Sequence, residues 1–89
     1  MTYKLNLTFK YRINEYVAED MDDLTEITSE EVKEVYNALE SLGIREWDAW
    51  SEDVDGVRIA NNYYLVSEET FDELKKMVNL DCVEVSEVD

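Results

Sequence analysis

Tyr3, Leu5, Leu7, Phe9, Tyr11 and Ile13 alternate without a break against Lys4, Asn6, Thr8, Lys10 and Arg12. A period of two sends every apolar side chain to one face of a β-strand and every polar one to the other, so residues 3–13 are predicted to form a long strand with one buried face. The pattern then fades. Residues 15–27 follow neither the strand nor the helix period and read as a long acidic loop. From Thr28 a helical signature takes over: Thr28 and Glu31 have the spacing of a capping box, and Val32, Val35, Tyr36, Leu39 and Leu42 recur at three and four residues as one buried stripe. Gly43 supplies the left-handed residue that ends this helix, and Ile44 closes over it.

Residues 44–51 return to the strand period, with Trp47 and Ala49 on one side and Glu46, Asp48 and Trp50 on the other. Asp53 to Gly56 reads as a turn, because Asp-Gly between alternating runs is a strong hairpin signal. Val57 to Val66 is a third strand whose apolar alternation changes phase at Asn61 and Asn62, which predicts a bulge or kink there. Ser67 caps a second helix over residues 68–78, with Phe71, Leu74, Met77 and Val78 as its inner stripe. A last strand is predicted over 81–86, with Val83 and Val85 facing one way and Cys82 a small core or sheet residue; 87–89 is a frayed tail. The order strand, helix, strand, strand, helix, strand defines one domain over 1–89. It predicts an α+β fold of the ferredoxin-like βαββαβ kind, an antiparallel four-stranded sheet of order 4-1-3-2 with two helices on one face.

The composition is strongly one-sided in charge. The chain of 89 residues is 45% hydrophobic, as a folded domain requires, yet carries 23 carboxylates against 8 basic side chains, no histidine and a formal charge of -15. A field of that sign repels nucleic acid and anionic membrane and attracts basic protein surfaces or cations. One cysteine cannot form an internal disulfide, and the N-terminus enters a strand with no apolar leader, so a cytoplasmic location is expected.

Candidate chemistry is sparse. RNA-recognition domains show aromatics on the open sheet face and a glycine-bearing motif on the third strand; here that strand has no glycine, and the aromatics of strand one share a face with Leu5, Leu7 and Ile13. Lys4, Lys10 and Arg12 are then expected on the open face, paired with acidic neighbours across strands. Ser51 to Asn62 places Asp53, Asp55 and Gly56 as a calcium loop would, but Asn62 stands where the closing bidentate glutamate belongs, so a hairpin explains the same residues. Cys82 has no histidine to activate it, and no nucleophile, acid-base pair or metal shell stands out. The chain is therefore not expected to be an enzyme, and no cofactor is implied.

The informative step is to subtract the carboxylates that local structure explains. Glu30, Glu31, Glu68, Glu69 and Asp72 sit near helix starts, where each complements the helix dipole by about 0.3 to 1 kcal/mol. Two sets remain: Glu15, Glu19, Asp20, Asp22, Asp23 and Glu26 in the loop, and Glu46, Asp48, Glu52, Asp53 and Asp55 around the hairpin. In the expected topology both emerge at one end of the sheet, with Asp81 nearby. They form a candidate partner-binding surface.

In size, acidity and lack of catalytic motifs the whole chain resembles the small phage-encoded inhibitors that act as nucleic-acid mimics, among them anti-CRISPR proteins, anti-restriction proteins and inhibitors of uracil-DNA glycosylase. The resemblance implies a basic partner that holds nucleic acid, a CRISPR effector or another host nuclease, whose groove the carboxylates would occupy in place of DNA or RNA. Two further readings compete with it: an acidic adaptor or subunit docking on a basic protein unrelated to nucleic acid, and a weak calcium-binding domain.

Overall fold

The computed structural model describes residues 1–14 and 24–88. Its elements are β1 (Thr2–Ile13), β2 (Leu24–Glu26), α1 (Glu30–Ser41), β3 (Asp48–Val54), β4 (Val57–Ser67), α2 (Glu68–Met77) and β5 (Glu84–Val88). The fold is α+β, an antiparallel sheet with two helices. β1 is its centre. One edge pairs with β4 from Thr2 opposite Ser67 to Arg12 opposite Val57, and the other edge is shared between β5 (Thr2 to Asn6) and β2 (Tyr11 to Ile13). β3 pairs with the far side of β4. The sheet therefore runs β2-β1-β4-β3 with β5 beside β1, which differs from the expected set of four strands. The extra strand, β2, falls inside the stretch read as loop; three residues are too few for a period of two to be legible.

The alternation of β1 sets the core. Leu5, Leu7 and Phe9 are buried together with Val32, Val35, Ala38 and Leu39 of α1, Tyr64 and Val66 of β4, Leu74 of α2, and Val83. Both helices cover this one face: Tyr3 stacks on Phe71 of α2 at 4.2 Å between centroids, and Phe9 meets Tyr36 of α1 edge to face at 5.6 Å.

The helix ends show how local chemistry decides boundaries. Thr28 is not the cap of α1; Ser29 is, and its side chain makes no capping bond. The Thr28 hydroxyl is instead spent on the sheet, accepting from the Lys10 amide at 3.0 Å and donating to the Lys10 carbonyl at 3.3 Å, while the Ile27 amide donates to that carbonyl at 2.8 Å. A buried side chain thus completes the β1 ladder where neither β2 nor β5 reaches. At the other end, Gly43 has φ 73° and donates to the Glu40 carbonyl, and Ile44 donates to that of Leu39, the paired bonds of a Schellman stop. Leu42, expected in the buried stripe, is the C-cap and is 38% exposed.

α2 begins as expected, with the Ser67 hydroxyl accepting from the Thr70 amide at 3.2 Å. Replacing Ser67 by alanine should cost about 1 kcal/mol in urea unfolding, whereas Ser29→Ala should cost a few tenths at most, because only the first removes a capping bond. Met77, placed in the inner stripe by its spacing, is exposed instead. β5 starts at Glu84 rather than Asp81, so Cys82 lies exposed before the strand, while Glu87 and Val88, read as a frayed tail, belong to it.

Candidate interaction site

The hairpin that carries the acidic residues is built by its turn. Asp55 and Gly56 both have positive φ, 51° and 79°, the requirement of the two-residue turn that matches strand twist. From there β3 and β4 pair without interruption, Val54 opposite Val57 to Asp48 opposite Tyr63. There is no bulge at Asn61 and Asn62. The change of phase in the sequence has another cause: Ala60, Tyr64 and Val66 face the helices, whereas Val57, Ile59, Tyr63 and Leu65 lie on the opposite face, so both faces of β4 carry apolar residues. Residues 51–62 are thus a regular hairpin and not a loop folded around a cation.

Strand geometry then separates the acidic residues. Asp53 lies in a row that crosses the helix-facing side, Glu26 on β2, Tyr11 on β1, Arg58 on β4 and Asp53 on β3. Both acids of this row are paired. Arg58 donates to both oxygens of Asp53 at 2.8 and 3.1 Å, and Lys33 of α1 lies 3.4 Å from Glu26. Asp48 and Glu52 lie on the other, open face, and Asp55 is in the turn; among the described residues no basic side chain lies within ion-pair distance of these three. Every residue of β3 is exposed.

The residues named from the sequence are therefore only partly brought together. Glu52, Asp53 and Asp55 cluster at the hairpin end, with Glu26 beyond two intervening strands. Asp48 is level with Asn6, near the middle of β1 and about 20 Å from the turn at 3.3 Å per residue. Glu46 precedes β3 and is exposed, and Asp81 lies beside Cys82 and Glu31, near the start of α1. Glu15, Glu19, Asp20, Asp22 and Asp23 lie outside the described residues. The described residues flanking them adjoin the hairpin, since the Ile13 amide donates to the Gly56 carbonyl at 2.9 Å and Ile13 pairs with Leu24.

The basic residues of β1 also differ from expectation. Lys4, Lys10 and Arg12 do stand on the open face, but none forms an ion pair with a described carboxylate. Lys4 instead lies 5.6 Å from the centre of the Tyr63 ring, whose hydroxyl accepts from the Trp50 indole at 2.9 Å. Thr8 donates to Asn61 at 3.1 Å beneath them. Sequence reasoning missed this aromatic pair, although Tyr63 and Tyr64, being adjacent on a strand, must face opposite ways.

Titration behaviour follows the pairings. The Arg58 guanidinium holds the Asp53 carboxyl below its ordinary value, so the pair stabilises the fold above the unfolded aspartate range and is lost as pH falls through the depressed value. Carbon-detected titration should place Asp53 among the most acidic aspartates, and Arg58→Gln should return it to the ordinary range. Burial first, and then the Glu26 carboxylate, push the Tyr11 phenol up. Cys82 is exposed, but partial desolvation of its sulfur, with the Glu31, Asp81 and Glu34 carboxylates nearby, raises the thiol, so less of it is the nucleophilic thiolate.

Comparison of the chain with protein-family models, curated proteins and solved structures finds no match to any of them.

Proposed function

We propose that this protein is a non-enzymatic inhibitor that docks its acidic hairpin in the basic nucleic-acid-binding groove of a host nuclease or CRISPR effector and so blocks access of DNA or RNA. The observation that carries the reading is the set Asp48, Glu52 and Asp55, three carboxylates without a basic partner among the described residues, displayed on an edge hairpin of a chain of charge -15. Glu15, Glu19, Asp20, Asp22 and Asp23 fall in the sequence between Ile13, which bonds to Gly56 of that hairpin, and its strand partner Leu24, and on this ground we assign them to the same surface. Uncompensated charge of one sign costs stability through self-repulsion, and a basic partner is what offsets that cost. Trp50 lies between Asp48 and Glu52 on the open face, 47% exposed, and offers the aromatic anchor that interface hot spots commonly contain.

Such an inhibitor acts in the cytoplasm of the cell whose nuclease it meets, and a phage or other mobile element is the source that fits. We also read the sheet as a ferredoxin-like arrangement of order 4-1-3-2, counting β1, β3, β4 and β5 as the four strands and β2 as an addition. What supports this is that β5 and β4 flank β1, with β3 beyond β4. The function is tested by passing host lysate over the immobilised protein and identifying what is retained. A nuclease or CRISPR component supports the reading; retention only of proteins with no nucleic-acid-binding groove overturns it in favour of an acidic adaptor.

A further inference from the structure

Among the described residues no element covers the sheet face turned away from the helices, and across β1, β4 and β3 its side chains are sorted by charge, with Glu84 of β5 beside Asn6 at the outer edge. β1 presents Lys4, Lys10 and Arg12, β3 presents Asp48 and Glu52, and between them β4 presents Val57, Ile59, Tyr63 and Leu65. Trp50 and Val54, 47% and 43% exposed, extend this apolar ridge onto β3. Neither charged row is neutralised within the described chain.

We propose that this face is a self-association surface and that its occupant is a second copy of the chain, related by a two-fold axis parallel to β4. Such an axis lays β4 on β4 and exchanges left for right without reversing strand direction, so β1 of each copy lies over β3 of the other. Register fixes the partners. Lys10, Ile59 and Glu52 share one level across the sheet, and Asn6, Tyr63 and Asp48 another. Lys10 therefore meets Glu52 of the partner subunit, and Lys4 comes beside Asp48 of the partner subunit, each contact occurring twice by symmetry. The other arrangements lack this match. A two-fold axis across the strands would set basic β1 on basic β1, and antiparallel pairing of two β3 edges would crowd Asp48, Glu52 and Asp53 against their own copies.

Three overlapping strands about 4.8 Å apart and ten residues long give a footprint of roughly 500 Å² per subunit, near the lower bound for a specific interface. The dimer is accordingly concentration-dependent, in the micromolar range. It forms although each copy carries a charge of -15, because at about 0.15 M salt the screening length is about 8 Å and contact pairs outweigh distant repulsion.

The dimer covers Asp48, Trp50 and Glu52, which the inhibitor reading gives to the basic groove, so self-association and partner binding exclude each other; sedimentation of the isolated chain reports the first whatever partner the hairpin takes. Sedimentation velocity of the full chain across a concentration series should show monomer passing to dimer. Lys10→Glu should weaken the dimer at least tenfold. Glu52→Lys should weaken it similarly, even though that change lowers the net repulsion. The double variant, with the net charge of the original chain, should recover most of the affinity, while circular dichroism shows all three folded. A chain that stays monomeric throughout, a dimer indifferent to Lys10→Glu, or a double variant that fails to recover would each overturn the proposal.

Discussion

Alanine in place of Leu7 should destabilise the protein by about 3 kcal/mol, a large part of the 5–15 kcal/mol that a domain of this size commands. Leu7 is fully buried on the central strand, between Leu5 and Phe9, on the face that both helices cover. Its loss removes transfer energy and leaves a cavity that neighbours on a paired strand cannot close, because β1 is held residue for residue against β4, Leu7 opposite Asn62, beneath both helices. For a chain of this length the change corresponds to a fall in melting temperature of roughly 15 °C. Leu42→Ala is the control. It removes the same side chain from the exposed C-cap of α1 and should change stability by less than about 1 kcal/mol, although sequence spacing places both leucines in buried stripes. Equal losses at the two positions would mean that the core is not organised around β1.

That contrast shows what was legible in the sequence. β1 was clear because its period runs unbroken for eleven residues, α1 because its stripe and its glycine stop agree, and α2 because its stripe follows a serine cap. Gly43 and Ser67 act as their chemistry dictates. Two of the misreadings share a cause, since each concerns residues whose local pattern was overridden by a tertiary role. Thr28 has the hydroxyl of a good cap, but an open stretch of the β1 ladder competes for it and wins, leaving Ser29 at the helix start. Asn61 and Asn62 imitate a bulge because the open face is partly apolar, which no single-strand pattern can reveal. The acidic residues were visible as a group, yet their division was not. Which carboxylates meet Arg58 or Lys33 depends on register between strands distant in the chain, and only the sheet places Glu26 and Asp53 in one row and Asp48 and Glu52 on the other face.

The same division identifies the residues on which the proposed inhibition should depend. The triple variant Asp48→Lys, Glu52→Lys and Asp55→Asn should lose at least 100-fold in affinity for the basic partner while remaining folded. Asparagine is chosen at 55 because that position has φ 51°, which asparagine tolerates and lysine does not, and Asn-Gly suits the same turn. Two reversals add two units of charge each and the neutralisation one, so the formal charge moves from -15 to -10. Exposed pairs alone would be worth only about 0.2–1 kcal/mol each, but a carboxylate desolvated against a groove of lysine and arginine costs about 2–5 kcal/mol to remove. Glu26→Gln and Asp53→Asn should matter less, since their charge is already offset by Lys33 and Arg58. Lys10→Glu separates this surface from self-association, as it disrupts the proposed dimer and leaves the acidic hairpin intact.

Occupation of the nucleic-acid groove by the acidic hairpin is tested by a displacement titration. The retained host protein is loaded with a fluorescent duplex or guide-containing substrate, and the chain is added while anisotropy is followed at fixed salt. The inhibitor account predicts full release of the nucleic acid by the original chain, competition that excess fluorescent duplex reverses, and a midpoint shifted at least 100-fold by the hairpin variant. A chain that binds the host protein without releasing nucleic acid, or a hairpin variant that displaces it as well as the original, would contradict the claim.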